Sequence, residues 1–151
     1  MTIAEIQEIV DTFELLTDWD QRYQLLVDIG EEMPPMPAAE KTEDKRVKEC
    51  MSLVHVAAHP DPVHSGCIRY TGDCDTAIIK GVVALLVRLF SSKTPAEIAE
   101  LDVDALFEGL HLAEHLSPNR HVGIYAIVAK MKAEARVTEP SAQLPQSSAR
   151  K

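Results

Sequence analysis

The stretch that most limits how this chain can fold runs from Asp75 to Phe90. Within it Ile78, Ile79, Val82, Val83, Leu85, Leu86 and Phe90 recur at helical spacing as one broad apolar arc, with Lys80 and Arg88 outside it. So wide an arc predicts a central, largely buried helix that other elements must cover. Asp73 and Asp75 precede it, where acceptor side chains and negative charge suit the unpaired N–H groups and the positive end of the helix dipole.

Elements that could supply that cover lie on both sides. Ile3, Ile6, Ile9, Val10, Phe13 and Leu16 fall at steps of three and four, which predicts a helix over residues 2–16, with Thr2 and Glu5 placed as a capping box. A second helix should start at Thr17 or Asp18 and run through Trp19, Tyr23, Leu26 and Val27 to Ile29, with Gly30 as its stop. After the central helix, Thr94-Pro95-Ala96-Glu97 has the cap, first-turn proline and acid of another helix start, and Asp104 to Gly109 makes a short helix or turn. Ser117-Pro118-Asn119-Arg120 opens the last helix, whose Val122, Ile124, Tyr125, Val128 and Met131 give an apolar face up to about Ala135.

The middle of the chain reads differently. Residues 31–45 carry Pro34, Pro35 and Pro37 among many charges, so an extended connection is expected, able to lie on the surface and frame a pocket. Ser52 to Ala58 is apolar and β-branched, His59-Pro60-Asp61-Pro62 makes a turn, and Val63 to Tyr70 reads as a second strand ended by Thr71-Gly72-Asp73. Leu53, His55 and Ala57 share one face of the first strand and Ser52, Val54 and Val56 the other; neither set is strongly polar, so both faces should be covered in part. A third short strand before Cys50 is compatible with the pattern. The fold class is therefore α+β, a small antiparallel sheet of about three strands packed against several helices. At 151 residues the chain is most simply one domain over residues 1–137, with residues 138–151, polar and ending in basic residues, as a disordered tail.

Composition narrows the function. A net charge of −9 without a clustered Lys/Arg face argues against a nucleic-acid binder. No apolar run approaches the roughly 20 residues of a membrane helix, and the first residues lack the basic and apolar regions of a signal peptide. A soluble cytoplasmic protein is expected, with monomer and homodimer both open. The three cysteines, at spacings of 17 and 7 residues, fit neither a disulfide framework nor a zinc pattern. In a reducing compartment they begin as thiols.

Cys50 is the first candidate for chemistry, because it stands where the basic Lys45, Arg46 and Lys48 run into an alternating apolar stretch. Nearby cations and partial exposure favour the reactive thiolate, whereas the adjacent Glu49 opposes it, so only modest activation is expected. Cys67, inside the predicted second strand, reads as a buried packing thiol. Cys74, near the start of the central helix, reads as a serine-like cap or as a second thiol able to exchange with Cys50 or close a disulfide with it. Arg120 sits beside the positive end of a helix dipole, which calls for a compensating carboxylate, Asp75 or Asp73. His111 and His115 have helical i,i+4 spacing but no evident third ligand, which favours solvated or capping roles over a metal site. His55 and His64 are placed to face each other across the hairpin.

Several segments, taken in order, resemble the SufE family of sulfur acceptors. They are Asp18-Trp19-Asp20-Gln21-Arg22-Tyr23 ahead of Leu26, Gly30 with the prolines after it, and Val47-Lys48-Glu49-Cys50-Met51-Ser52. Further on come Gly72-Asp73-Cys74-Asp75-Thr76-Ala77, Lys80-Gly81, Thr94-Pro95-Ala96-Glu97-Ile98 and His115-Leu116-Ser117-Pro118-Asn119-Arg120-His121-Val122-Gly123. The resemblance spans roughly residues 13–135. It implies a SufE/NifU-like fold, helices on one small antiparallel sheet, with a reactive cysteine on a loop at the sheet edge. By position that cysteine is Cys50, with Asp75 and Arg120 in the motifs around it. Glu49, Met51, His55 and Cys74 stand where glycine, glutamine, tryptophan and serine are frequent.

The resemblance also implies a function. Cys50 would take sulfane sulfur from a pyridoxal-phosphate-dependent cysteine desulfurase as a persulfide, stimulate that enzyme, and pass the sulfur to an iron–sulfur scaffold protein, without a cofactor of its own. The desulfurase could be the main cluster-assembly enzyme or a paralogue. One alternative is a thiol peroxidase or redox sensor in which a sulfenic acid on Cys50 is resolved by Cys74. A weaker one is a scaffold in which Cys50, Cys67 and Cys74 together hold a metal or cluster.

Overall fold

A computed structural model describes residues 3–138. The predicted central helix is α3, Ala77–Phe90; Ile79, Val82, Val83, Leu85, Leu86 and Phe90 are buried in it and Ile78 partly so. Helix α1 spans Ile3–Leu15 and α2 spans Trp19–Glu32. Thr2, half of the proposed capping box, lies outside the described residues. Asp18 caps α2 by accepting the Asp20 N–H at 2.9 Å. Arg22 ties the two helices together, its Nε donating to the carbonyls of Phe13 and Leu16 while its guanidinium lies over the Phe13 and Trp19 rings.

Gly30 does not end α2, which continues to Glu32 and is closed by Met33. Its role is at a helix crossing. A Cβ on Gly81 would lie 2.1 Å from the Leu26 carbonyl oxygen, and one on Gly30 would lie 3.0 Å from the Gly81 nitrogen. Backbone meets backbone there, so α2 can lie this close to α3 only where side chains are absent.

Strands β1, Val54–Pro60, and β2, Ile68–Cys74, pair antiparallel with Val54 opposite Cys74 and Pro60 opposite Ile68. The second strand thus starts five residues later than Val63 and takes in the Thr71-Gly72-Asp73 segment expected to end it. Asp61 is the cause. Its carboxylate accepts the N–H groups of Val63 and His64 at 2.8 and 3.1 Å, and its own N–H donates to the Cys67 carbonyl, so residues 61–67 close as a loop. His64 therefore sits beside Asp61, and His55 faces Asp73 instead. Cys67 ends the loop, half-buried, rather than lying buried in a strand.

The sheet has two strands. In place of a third, Arg46 forms an isolated bridge to His55, with the Val47 N–H donating to the Val54 carbonyl at 2.9 Å. Helix α3 packs on β2 and on α2. The last long helix, α7, spans Pro118–Val137 and packs on β1; Ser117 caps it by accepting the Arg120 N–H. Its buried face is Ile124, Ile127, Val128 and Met131, whereas Val122 and Tyr125, expected to join it, are exposed. Between α3 and α7 lie α4, Pro95–Ala99, with the Thr94/Glu97 capping box formed, then α5, Asp104–Gly109, and α6, Leu112–His115.

The connection after α2 contains two short 3-10 turns, Ala38–Glu40 and Glu43–Lys45. It is pinned to the second strand and to the last helix. Lys41 pairs with Asp73 at 2.6 Å, Glu40 accepts from Thr71 at 2.6 Å, and Lys45 pairs with Glu134 at 2.7 Å. Met33 and Met36 fill the space beneath. Among the described residues no helix is long and apolar enough to cross a membrane.

Candidate functional site

The segment from Val47 to Leu53 joins the second 3-10 turn to β1 and carries Cys50. Val47 is buried and bonded to Val54, and the Cys50 N–H closes a turn onto the Val47 carbonyl at 3.3 Å. This holds Cys50 to 8% exposure while the next residue, Met51, is 74% exposed. Ser52 turns inward again, its hydroxyl 2.7 Å from that of Thr76. Leu53 donates its N–H to Asp75 Oδ1 at 2.9 Å, and the Asp75 N–H returns a bond to the Leu53 carbonyl at 3.2 Å. The loop is thereby laced to the junction between β2 and α3. Behind it stands Gly123 of α7, where a Cβ would come within 3.1 Å of Cys50 Sγ.

Cys74, the last residue of β2, is buried beside this loop. The Thr76 N–H donates to its sulfur at 3.4 Å. Burial pushes its thiol up to about 11; the Thr76 N–H and the Ser52 hydroxyl pull the other way, while negative charge at Asp75 and at Cys50 adds to the rise. Cys74 is not the cap of α3, since Thr76 occupies that position.

Other expectations need correction. Two of the three cations thought to activate Cys50 are engaged elsewhere, Lys45 by Glu134 and Asp44 and Arg46 by Glu43. Only Lys48, exposed, has no such bond among the described residues. Asp75 does not cap α3; its carboxylate turns back to hold the loop. Arg120 makes no ion pair with Asp75 or Asp73 among the described residues, and Asp73 is taken by Lys41 and Lys80. The start of α7 is satisfied by Ser117 instead, which leaves the half-buried guanidinium one turn before Gly123. His111 adopts left-handed backbone, with its ring between Glu114 at 2.7 Å and Glu14 at 3.1 Å. The side chain of His115 lies outside the described residues, among which no group of three or more metal-ligating side chains gathers.

The structure thus brings together Cys50, Cys74 and Asp75, sets Arg120 on the helix behind them, and leaves Cys67 apart. Ser52, Thr76 and Gly123 were missed by reading the sequence. Gly123 alone left a trace, a glycine inside a helical pattern, which signals a close approach to something.

Fold and site together define a class: α+β proteins that keep a thiol under a short loop at the edge of a small sheet. The family model described as SufE, Fe-S metabolism associated domain, matches residues 7–135. The chain belongs to the SufE family, and membership gives it a role in iron–sulfur metabolism and suggests a cysteine desulfurase as partner. It is 30% identical over 144 residues to an uncharacterised SufE-like protein of Rhizobium meliloti (strain 1021), covering 92% of this chain and 100% of the relative. A SufE-like protein of Rhizobium etli is 32% identical over 137 residues, 89% of this chain and 92% of the relative. A hypothetical protein from Thermus thermophilus, solved in solution, shares the fold with a TM-score of 0.68 at 24% identity, over 90% of this chain and 96% of that one.

Proposed function

We propose that this chain is a cytoplasmic persulfide carrier whose working group is Cys50. The thiolate attacks the outer sulfur of a persulfide on a pyridoxal-phosphate-dependent cysteine desulfurase; a new S–S bond forms on Cys50, and the donor cysteine leaves as thiolate. Relieving the donor of its sulfur speeds its turnover, so the chain acts as an activator and sulfur shuttle. An iron–sulfur scaffold protein is the recipient.

The observation that carries this reading is the contrast within four residues: a sulfur nearly closed to solvent, followed by Met51 and Leu53, which are 74% and 45% exposed. Exposed apolar side chains at a loop tip offer a partner something to bind. Bulk solvent meets little of the thiol that a docked partner can draw out. Asp75 sets the resting position of the loop, and Arg120 supplies a cation for an anionic persulfide once the loop moves. Mass spectrometry after incubation with a desulfurase, its cofactor and cysteine should show a gain of sulfur on Cys50 in the wild type and none in Cys50→Ser. Equal desulfurase stimulation by the two proteins would end the proposal.

A further inference from the structure

We propose that Cys74 is a resolving thiol for the persulfide on Cys50: where no recipient takes the sulfur, Cys74 attacks Cys50 Sγ, closing a Cys50–Cys74 disulfide and expelling sulfide. The inference rests on the carrier reading of Cys50 and adds a second fate for the loaded form.

Three features place Cys74 for this. First, the segments bearing the two thiols are bonded to each other. Ser52 and Leu53, just after Cys50, bond to Thr76 and Asp75, just after Cys74. Second, both cysteines are buried, and Cys50 lies near enough to Cys74 to act on it electrostatically, so a persulfide drawn under the loop is screened from external thiols but not from Cys74. Third, the Thr76 N–H donates to the Cys74 sulfur, at the start of a 14-residue helix, and Ser52 offers its hydroxyl to the same atom. Hydrogen-bond donors aimed at a sulfur in an apolar surrounding are what its anion needs when the proton leaves.

The step balances without an outside oxidant. The S–S bond of the persulfide breaks and a bond between the two cysteine sulfurs forms. The outer sulfur leaves with the bonding pair as hydrosulfide and takes up the proton Cys74 gives up. Cys74 is oxidised from thiol to disulfide, and the sulfane sulfur is reduced to sulfide. Burial pushes the Cys74 thiol up to about 11, so little of it is thiolate at neutral pH and resolution is slow there, which leaves time for delivery.

The test uses the full chain loaded with sodium tetrasulfide, desalted, and followed by non-reducing peptide mass spectrometry with a sulfide assay. Wild type should lose the added sulfur, release an equal amount of sulfide and yield a Cys50–Cys74 cross-linked peptide. Cys74→Ser and Cys74→Ala should hold the persulfide at least about tenfold longer. A wild-type persulfide as long-lived as that of both variants would overturn the inference, as would sulfide release with a cross-link to Cys67 instead. If Cys50 takes up no sulfur at the first time point in any of the three proteins, the carrier reading itself has failed.

Discussion

Leu53 and Asp75 are bonded to each other twice, the Leu53 N–H to the Asp75 carboxylate and the Asp75 N–H to the Leu53 carbonyl. One of these bonds is backbone to backbone and is open to any residue at position 75 except proline. The other depends on the acid. Because Leu53 follows Cys50 by three residues, that carboxylate is expected to govern how readily the proposed carrier thiol emerges.

Asp75→Ala should therefore loosen the loop rather than unfold the protein. Losing one such bond costs about 1 kcal/mol, or roughly fivefold in an opening equilibrium. Alkylation of Cys50, followed peptide by peptide, should speed up about fivefold, while Asp75→Asn, which keeps an acceptor oxygen, stays near wild type. An unchanged rate in Asp75→Ala would mean the loop opens elsewhere.

Gly81→Ala should be among the most damaging single substitutions in the chain. The new methyl would lie 2.1 Å from the Leu26 carbonyl oxygen, and backbone cannot swing aside as a side chain can. Separating α2 from α3 disturbs the centre of the core, so a loss of about 3 kcal/mol or more is expected in urea unfolding. Gly30→Ala, at 3.0 Å from its nearest neighbour, should cost less. A small loss for Gly81→Ala would show that the helices can part cheaply.

What the sequence disclosed and what it hid differ by range. Helix α3 was legible because its apolar arc is local information, and the Thr94/Glu97 box because both partners lie within one turn. Gly30 misled, since a glycine at a helix end and a glycine at a helix crossing look alike until Gly81 is known to face it. Asp75 misled in the same way: an acid ahead of a helix reads as a cap, and its actual partner lies 22 residues back. The hairpin register failed because one carboxylate, that of Asp61, outcompeted strand pairing for nearby N–H groups. At the site, Cys50 stood out by its flanking pattern, but Gly123, the backbone behind it, comes from a distant helix with no sequence tie to the loop.

Stability in acid should depend on Glu40. The Thr71 hydroxyl donates to its carboxylate, and although burial opposes this, that bond together with His59 holds the group below the usual glutamate range. A carboxyl depressed in the folded state stabilises the protein above the unfolded-state value and loses that contribution as the pH falls through the folded one. Wild type should thus weaken below about pH 4.5 as the Glu40 contact to the sheet is protonated. Glu40→Gln should start less stable at neutral pH and show a shallower acid limb in thermal melts. Parallel acid limbs would place the acid sensitivity in other carboxylates.

Gly123→Ala probes the space behind Cys50 from the helix side. Its methyl would come within 3.1 Å of Cys50 Sγ and 3.2 Å of Cys50 Cα, closer than ordinary contact. Either α7 or the loop must give. Helix α7 is fixed by Ile124, Ile127 and Met131 in the core, whereas the loop carries Met51 exposed beside Cys50, so the loop should yield. Propensity in the helix favours alanine over glycine by up to about 1 kcal/mol, which offsets part of the overpacking cost of roughly 1–3 kcal/mol. Thermal unfolding should therefore change little while the alkylation of Cys50 rises severalfold. If instead the melting temperature falls sharply and the reactivity of Cys50 holds steady, the helix has moved and the loop is the stiffer of the two.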